Sequence, residues 1–204
     1  MADSGLQVNY GGEIGYRRIT RLLFLNDYIL GSGEGVFFTY NFADYWEVLP
    51  ASPEETDPHP SGNILKQHPI DGNIIWLGGE SLFFSPMLFY SHDGGFTWHE
   101  ILLFQHGVFG DNAVFSIAFD PIDINTVYVG IQGSIIKTED GGQTWIVPFL
   151  TSYNRGIFSA IEFNPQNENN FWVSTGRTIM ETSSGGKLWG DIKSPRDFWV
   201  YDMG

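Results

Sequence analysis

Ser91-His92-Asp93-Gly94-Gly95-Phe96-Thr97-Trp98 and Thr138-Glu139-Asp140-Gly141-Gly142-Gln143-Thr144-Trp145 share one pattern, Ser/Thr-x-Asp-Gly-Gly-x-Thr-Trp. Two looser copies flank them, Thr39-Tyr40-Asn41-Phe42-Ala43-Asp44-Tyr45-Trp46 and Thr182-Ser183-Ser184-Gly185-Gly186-Lys187-Leu188-Trp189. The terminal tryptophans lie 52, 47 and 44 residues apart. Self-similarity at this period is the mark of a repeat architecture, and it governs every later step.

The residues before each octet repeat as well. Phe119-Asp120-Pro121 precedes Asn125-Thr126-Val127-Tyr128-Val129, and Phe163-Asn164-Pro165 precedes Asn169-Asn170-Phe171-Trp172-Val173. His68-Pro69 before Asn73 to Leu77 matches them in the second unit, and Tyr28-Ile29-Leu30-Gly31 in the first. The second unit carries about five extra residues near Ser81 to Pro86. In the third unit the β-branched and aromatic runs predict strands near Ser116–Phe119, Thr126–Gly130, Ile135–Thr138 and Thr144–Phe149. Gly31-Ser32-Gly33-Glu34-Gly35 lacks the Lys-Ser/Thr of a phosphate loop and reads as a hairpin of the first unit.

Four such units predict an all-β fold, a β-propeller of four four-stranded blades. The alternatives are a partial fifth blade, or an open arc completed by a partner. The whole chain, 1–204, is expected to be one domain, with blades at about 16–49, 61–103, 113–149 and 157–192. Strand-like runs at Leu6–Tyr10 and Asp197–Tyr201 are expected to close the ring by pairing. The segment 50–60 carries four prolines and three acids and reads as a stiff, exposed loop.

The octets resemble Asp-box motifs, the bacterial neuraminidase repeats of sialidases, sortilin-type receptors and photosystem II assembly factors. The resemblance implies a hairpin between the third and fourth strands of a blade. The residue chemistry suits that place. Asp93 and Asp140 can accept backbone N–H bonds, and Gly95 and Gly142 permit positive φ. Ser91, Thr138, Thr97 and Thr144 can bond across the turn. Trp98 and Trp145 bury a ring worth about 2–3 kcal/mol each, as do Trp46 and Trp189 in the looser copies. These residues are therefore assigned structural roles.

Composition narrows the function. The 204 residues include 10 Lys plus Arg against 24 Asp plus Glu, a formal charge of −14. That excludes a phosphate-neutralising face, so no nucleic-acid partner is expected. No run approaches the length of a membrane span, so no membrane insertion is expected. No basic, apolar leader opens the chain, so no secretory signal is expected. With no Cys, thiolate catalysis and Cys-ligated zinc are excluded.

No catalytic residue, cofactor or metal is assigned. The sialidase resemblance implies an arginine clamp, a tyrosine nucleophile with its glutamate, and an acid/base aspartate. Only Arg18-Ile19 matches its N-terminal Arg-Ile-Pro segment, with Thr20 in place of Pro. Arg17, Arg18 and Arg21 cluster there, while Arg155, Arg177 and Arg196 are scattered. Other glycosidases need only two placed carboxylates, which 24 acids do not exclude. The five histidines have no metal spacing. Asp120 to Asn125 lacks the glycine bend of a calcium loop. Phe83, Phe84, Phe104, Phe109 and Tyr153 fall in loops suited to interaction.

The resulting expectation is a non-enzymatic structural or recognition module of a larger assembly, a bacteriophage virion or tail component, partnered and oligomerised by other subunits of the particle. The alternatives are a carbohydrate-active propeller, hydrolysing or binding a glycan, and an intracellular assembly factor.

Overall fold

The computed structural model describes residues 6–10, 13–40, 46–48, 60–80, 86–106, 113–150, 156–176 and 178–192. They form four sheets, each built by one repeat. β1 (Leu6–Tyr10) and β2 (Glu13–Arg17) precede the first repeat. β3 (Ile19–Phe24), β4 (Ile29–Gly33), β5 (Val36–Thr39) and β6 (Trp46–Val48) make the first unit. The second holds β7 (Ile64–Gln67), β8 (Ile75–Glu80), β9 (Pro86–Ser91) and β10 (His99–Glu100). The third holds β11 (Val114–Phe119), β12 (Val127–Ile131), β13 (Ser134–Thr138) and β14 (Ile146–Leu150). The fourth holds β15 (Ala160–Asn164), β16 (Asn167–Ser174), β17 (Ile179–Thr182) and β18 (Gly190–Ile192).

Within every unit the strands run antiparallel in sequence order, an all-β propeller architecture. The inner strands β3, β7, β11 and β15 lie side by side in that order. The first sheet has six strands, in the order β2-β1-β6-β5-β4-β3. β1 pairs parallel with β6 through Val8 with Trp46, and antiparallel with β2. Both edges of β1 are therefore used inside the first sheet. Residues 16 and 17, at the edge of the expected first blade of about 16–49, lie in β2. The run Asp197–Tyr201 lies outside the described residues. Glu80 pairs with Pro86, so the extra residues of the second unit fall between β8 and β9.

The strands alternate faces, and each face meets a different neighbour. Leu65, Ile75, Leu77, Met87 and Phe89 of the second sheet pack on Leu30 and Val36 of the first. Trp76, Leu88 and Ile101, facing the other way, pack on Ile117, Val127 and Val129 of the third. Tyr128 and Ile135 then meet Ile161, Phe171 and Val173 of the fourth. The inter-sheet fit is tight. A side chain at Gly130 would run into the Phe158 carbonyl, to which the buried Ser116 hydroxyl also donates at 2.8 Å. No described helix is long and apolar enough to cross a membrane.

Candidate functional site

The first-to-second and third-to-fourth strand connections lie at one end of each sheet. There the octets turn. Asp93 Oδ1 accepts from Ser91 Oγ at 2.7 Å, Phe96 N at 3.0 Å and Thr97 N at 2.9 Å. Its Oδ2 accepts from Thr97 Oγ1 at 2.6 Å. Ser91 Oγ accepts in turn from Gly95 N at 2.8 Å. Asp140 repeats this with Thr138 Oγ1 at 2.8 Å, Thr144 N at 2.8 Å and Thr144 Oγ1 at 2.6 Å. Gly95 and Gly142 have φ of 93° and 100°, a region open to glycine.

The indoles finish each turn. Trp98, Trp145 and Trp189 donate Nε1–H to the carbonyls of Gly95, Gly142 and Gly186 at 2.8, 3.1 and 2.9 Å. Trp46 is buried with Phe37, while residues 41–45 lie outside the described residues. In the fourth unit Ser184 Oγ takes the carboxylate's place, accepting from Leu188 N at 2.8 Å. The octets of the second, third and fourth units are also tied to the start of their own sheet's second strand. Gly94, Gly141 and Gly185 donate N–H to the carbonyls of Asn73, Asn125 and Asn169.

These bonds settle the charge state. Bonds from the Thr144 hydroxyl and N–H hold the Asp140 carboxyl down, at about 2 against an ordinary 3.8. Burial pushes Asp93 up, but the bonds from Thr97, Ser91 and Phe96 outweigh it and the net shift is downward. Both aspartates are ionised acceptors, engaged by several donors of their own turn and unsuited to donating a proton near neutral pH.

The first turns use one device with three side chains. Asp120 Oδ1 accepts from Ile122 N and Asp123 N, and Asn164 Oδ1 accepts from Gln166 N. His68 Nδ1 accepts from Ile70 N at 3.1 Å and Asp71 N at 3.3 Å. Its ring is buried edge-on to Phe119, at 4.7 Å, and Nε2 has no partner. Burial lowers its pKa against the opposing pull of Asp71. In the segment weighed for calcium, Asp123 accepts from Asn125 N and Thr126 Oγ1. Among the described residues, no three His, Cys, Asp or Glu converge as a metal site.

Of the other sequence candidates, Phe104 is 58% exposed on the short 3-10 turn Leu103–His106. Phe83, Phe84, Phe109 and Tyr153 lie outside the described residues, as do Arg155, Arg177 and Arg196. Arg21 donates Nε–H to the Asn63 carbonyl at 3.0 Å, and Arg18 is exposed.

Sequence reasoning missed one constellation. Tyr28, Phe38 and Tyr40 of the first unit meet Phe96 of the second unit's octet. Tyr28 and Phe96 have ring centroids 5.1 Å apart, Phe38 and Tyr40 5.3 Å, and Tyr28 and Tyr40 5.9 Å. Tyr40 is 56% exposed and Phe96 41%. Tyr28 donates its phenol to the Gly94 carbonyl at 2.6 Å. Among the described residues both variable positions of the octets are exposed, and aromatics there are the signal that a comparison of the copies would have flagged.

Comparison with known proteins adds the following. No family model matches the chain. The chain is 30% identical over 87 residues to an oligoxyloglucan-reducing end-specific xyloglucanase of Emericella nidulans, covering 42% of this chain and 10% of that protein. In structure it is similar to a GH74 enzyme of Niastella koreensis, with TM-score 0.71, 18% identity, and 90% of this chain on 31% of that one. It is also similar to YCF48 bound to a D1 peptide, with TM-score 0.59, 16% identity, and 91% of this chain on 56% of that one. The chain thus spans about a tenth of the xyloglucanase and a third to a half of these structures. The structural likenesses establish the propeller fold.

The sequence match corrects two expectations. The non-enzymatic bacteriophage virion or tail component is overturned by similarity to a xyloglucanase. The expectation that the chain is no enzyme falls with it. The error has a physical source. The octets are turn chemistry, which catalytic and non-catalytic propellers use alike, so they discriminate neither way.

Proposed function

We propose that the chain is a blade array of a carbohydrate-active β-propeller, a glycoside hydrolase acting on a xyloglucan-like β-glucan. The observation that carries this reading is the 30% identity over 87 residues to a xyloglucanase. The propeller architecture supports it, since such rings work through the loops at their axial ends.

Glycoside hydrolysis needs a carboxylic acid to protonate the leaving oxygen and a carboxylate to activate water or attack the sugar. Asp93 and Asp140 are spent on their turns. The end opposite the octets carries exposed carboxylates at Glu34, in the β4–β5 hairpin, and Glu80, closing β8. We propose these two as the acid and base candidates, because the residues beside them meet at Gly62, which donates its N–H to the Gly33 carbonyl at 3.1 Å and is closely approached by Gly79. The octets, in this reading, are Asp boxes that brace the other end. Phe104 belongs to a loop available to the glycan.

The test is release of reducing ends from xyloglucan, glucomannan and cello-oligosaccharides. Glu34→Gln and Glu80→Gln are each expected to lower release at least a hundredfold without loss of fold. Unchanged release in both variants would remove the assignment. Absence of release and of binding across the panel would remove the reading.

A further inference from the structure

The four repeats allow a comparison inside one molecule. The positions of Tyr28, Phe38, Tyr40 and Phe96 recur at each junction between successive sheets. At the second junction they hold Ile74, Tyr90, His92 and Gln143. At the third they hold Thr126, Lys137, Glu139 and Lys187. The third junction has the same turns and the same indole bond, yet none of these side chains is aromatic. Packing the sheets therefore does not require aromatic rings there. Four together, two of them well exposed, ask for another cause.

We infer that Tyr28, Phe38, Tyr40 and Phe96 form a stacking platform for a neutral polysaccharide. This rests on the carbohydrate-active reading and adds to it a binding surface at the octet end. An aromatic face is electron-rich and attracts the polarised C–H groups on the flat side of a sugar ring. Tyr40 and Phe96 are the two exposed rings of the four. The surroundings suit hydroxyl groups: the Tyr28 phenol, pushed upward first by burial and then by Tyr40, also feels the charges of Asp93 and Asp27. Carboxylates accept from sugar hydroxyls and repel anionic ligands. A cation cage is excluded by the spacing. The rings touch one another, with centroids 5.1 to 6.3 Å apart, so no space remains between them for an ammonium group.

The test replaces the two exposed rings by the side chains at the same octet positions of the third unit, Glu139 and Gln143: Tyr40→Glu and Phe96→Gln together. These side chains already sit at those positions in folded repeats, so the variant keeps its melting temperature. Xyloglucan and hydroxyethylcellulose are cast into native gels, with Ile122→Asn, an exposed site on the third unit, as the control. Retardation of the wild type and the control, with at least tenfold weaker binding by the double variant, is expected. Full retardation of a folded double variant would overturn the platform while leaving the carbohydrate reading intact. A wild type neither retarded nor hydrolytic would overturn both. Loss of self-association in the variant, with polysaccharide binding unchanged, would assign the patch to a protein contact and overturn the proposal.

Discussion

Asp140 and Thr144 are joined twice, through the threonine N–H at 2.8 Å and its hydroxyl at 2.6 Å. This pair of hydrogen bonds, its largest contribution from the hydroxyl, holds the carboxyl at about 2, below its ordinary 3.8. A carboxyl depressed by folding contributes stability above its unfolded value and loses it as pH falls through the folded value. The third unit's turn should hold its anion down to about pH 2. Thr144→Val removes the stronger donor, so loss of tryptophan fluorescence on acid titration should begin at a higher pH than in the wild type. An identical acid profile would show that the hydroxyl does not set the charge state.

Gly95 and Gly133 separate two costs of adding a methyl group. Both have positive φ, 93° and 78°. A Cβ at Gly95 would meet Leu30 Cδ2 at 2.8 Å and Trp98 Cζ2 at 3.3 Å, whereas one at Gly133 meets nothing within 4 Å. Gly133→Ala should cost about 1 kcal/mol of backbone strain. Gly95→Ala should cost about 2–4 kcal/mol, since overpacking is added. Urea denaturation of the two variants measures the difference, and equal losses would contradict the tight seat of the octet on the first sheet.

Trp98 should be irreplaceable by phenylalanine. Its ring is buried between the first and second sheets and its Nε1–H satisfies the Gly95 carbonyl. Trp98→Phe leaves most apolar area in place but strands that carbonyl, at a cost of about 1–3 kcal/mol. The melting temperature of the variant reports it, and a neutral change would mean the bond carries no weight.

His68 does by an imidazole nitrogen what Asp120 does by a carboxylate. Its Nδ1 accepts two N–H groups, so the folded state holds it neutral. Burial, opposed by Asp71, lowers its pKa below 6.5. The sign follows the depressed case: its stability is present above the unfolded value and is lost as pH falls below about 6.5. His68→Asn installs the acceptor of the fourth unit and should flatten the change in urea midpoint between pH 7.5 and pH 5. A slope equal to the wild type's would place the sensitivity elsewhere.

The fold was readable because its determinants are local. Asp140, Gly142 and Trp145 sit within one octet, and turn chemistry acts over a few residues. Strands followed from the same punctuation: the runs expected near 126–130 and 135–138 appear as Val127–Ile131 and Ser134–Thr138. The aromatic platform was not readable, since Tyr28 and Phe96 come from different repeats and meet only after the sheets stack. His68 hid for a different reason. The second, third and fourth units each place an acceptor there, but nothing in the sequence says that imidazole can supply it. The six-stranded first sheet was missed because the parallel pairing of β1 with β6 leaves no turn signal between them.

The carbohydrate-active reading is tested most directly by incubating the purified chain with xyloglucan and following reducing ends and oligosaccharide products over time. The account predicts product release that Glu34→Gln and Glu80→Gln abolish. A folded chain that leaves xyloglucan and the related β-glucans uncut and unbound would contradict it.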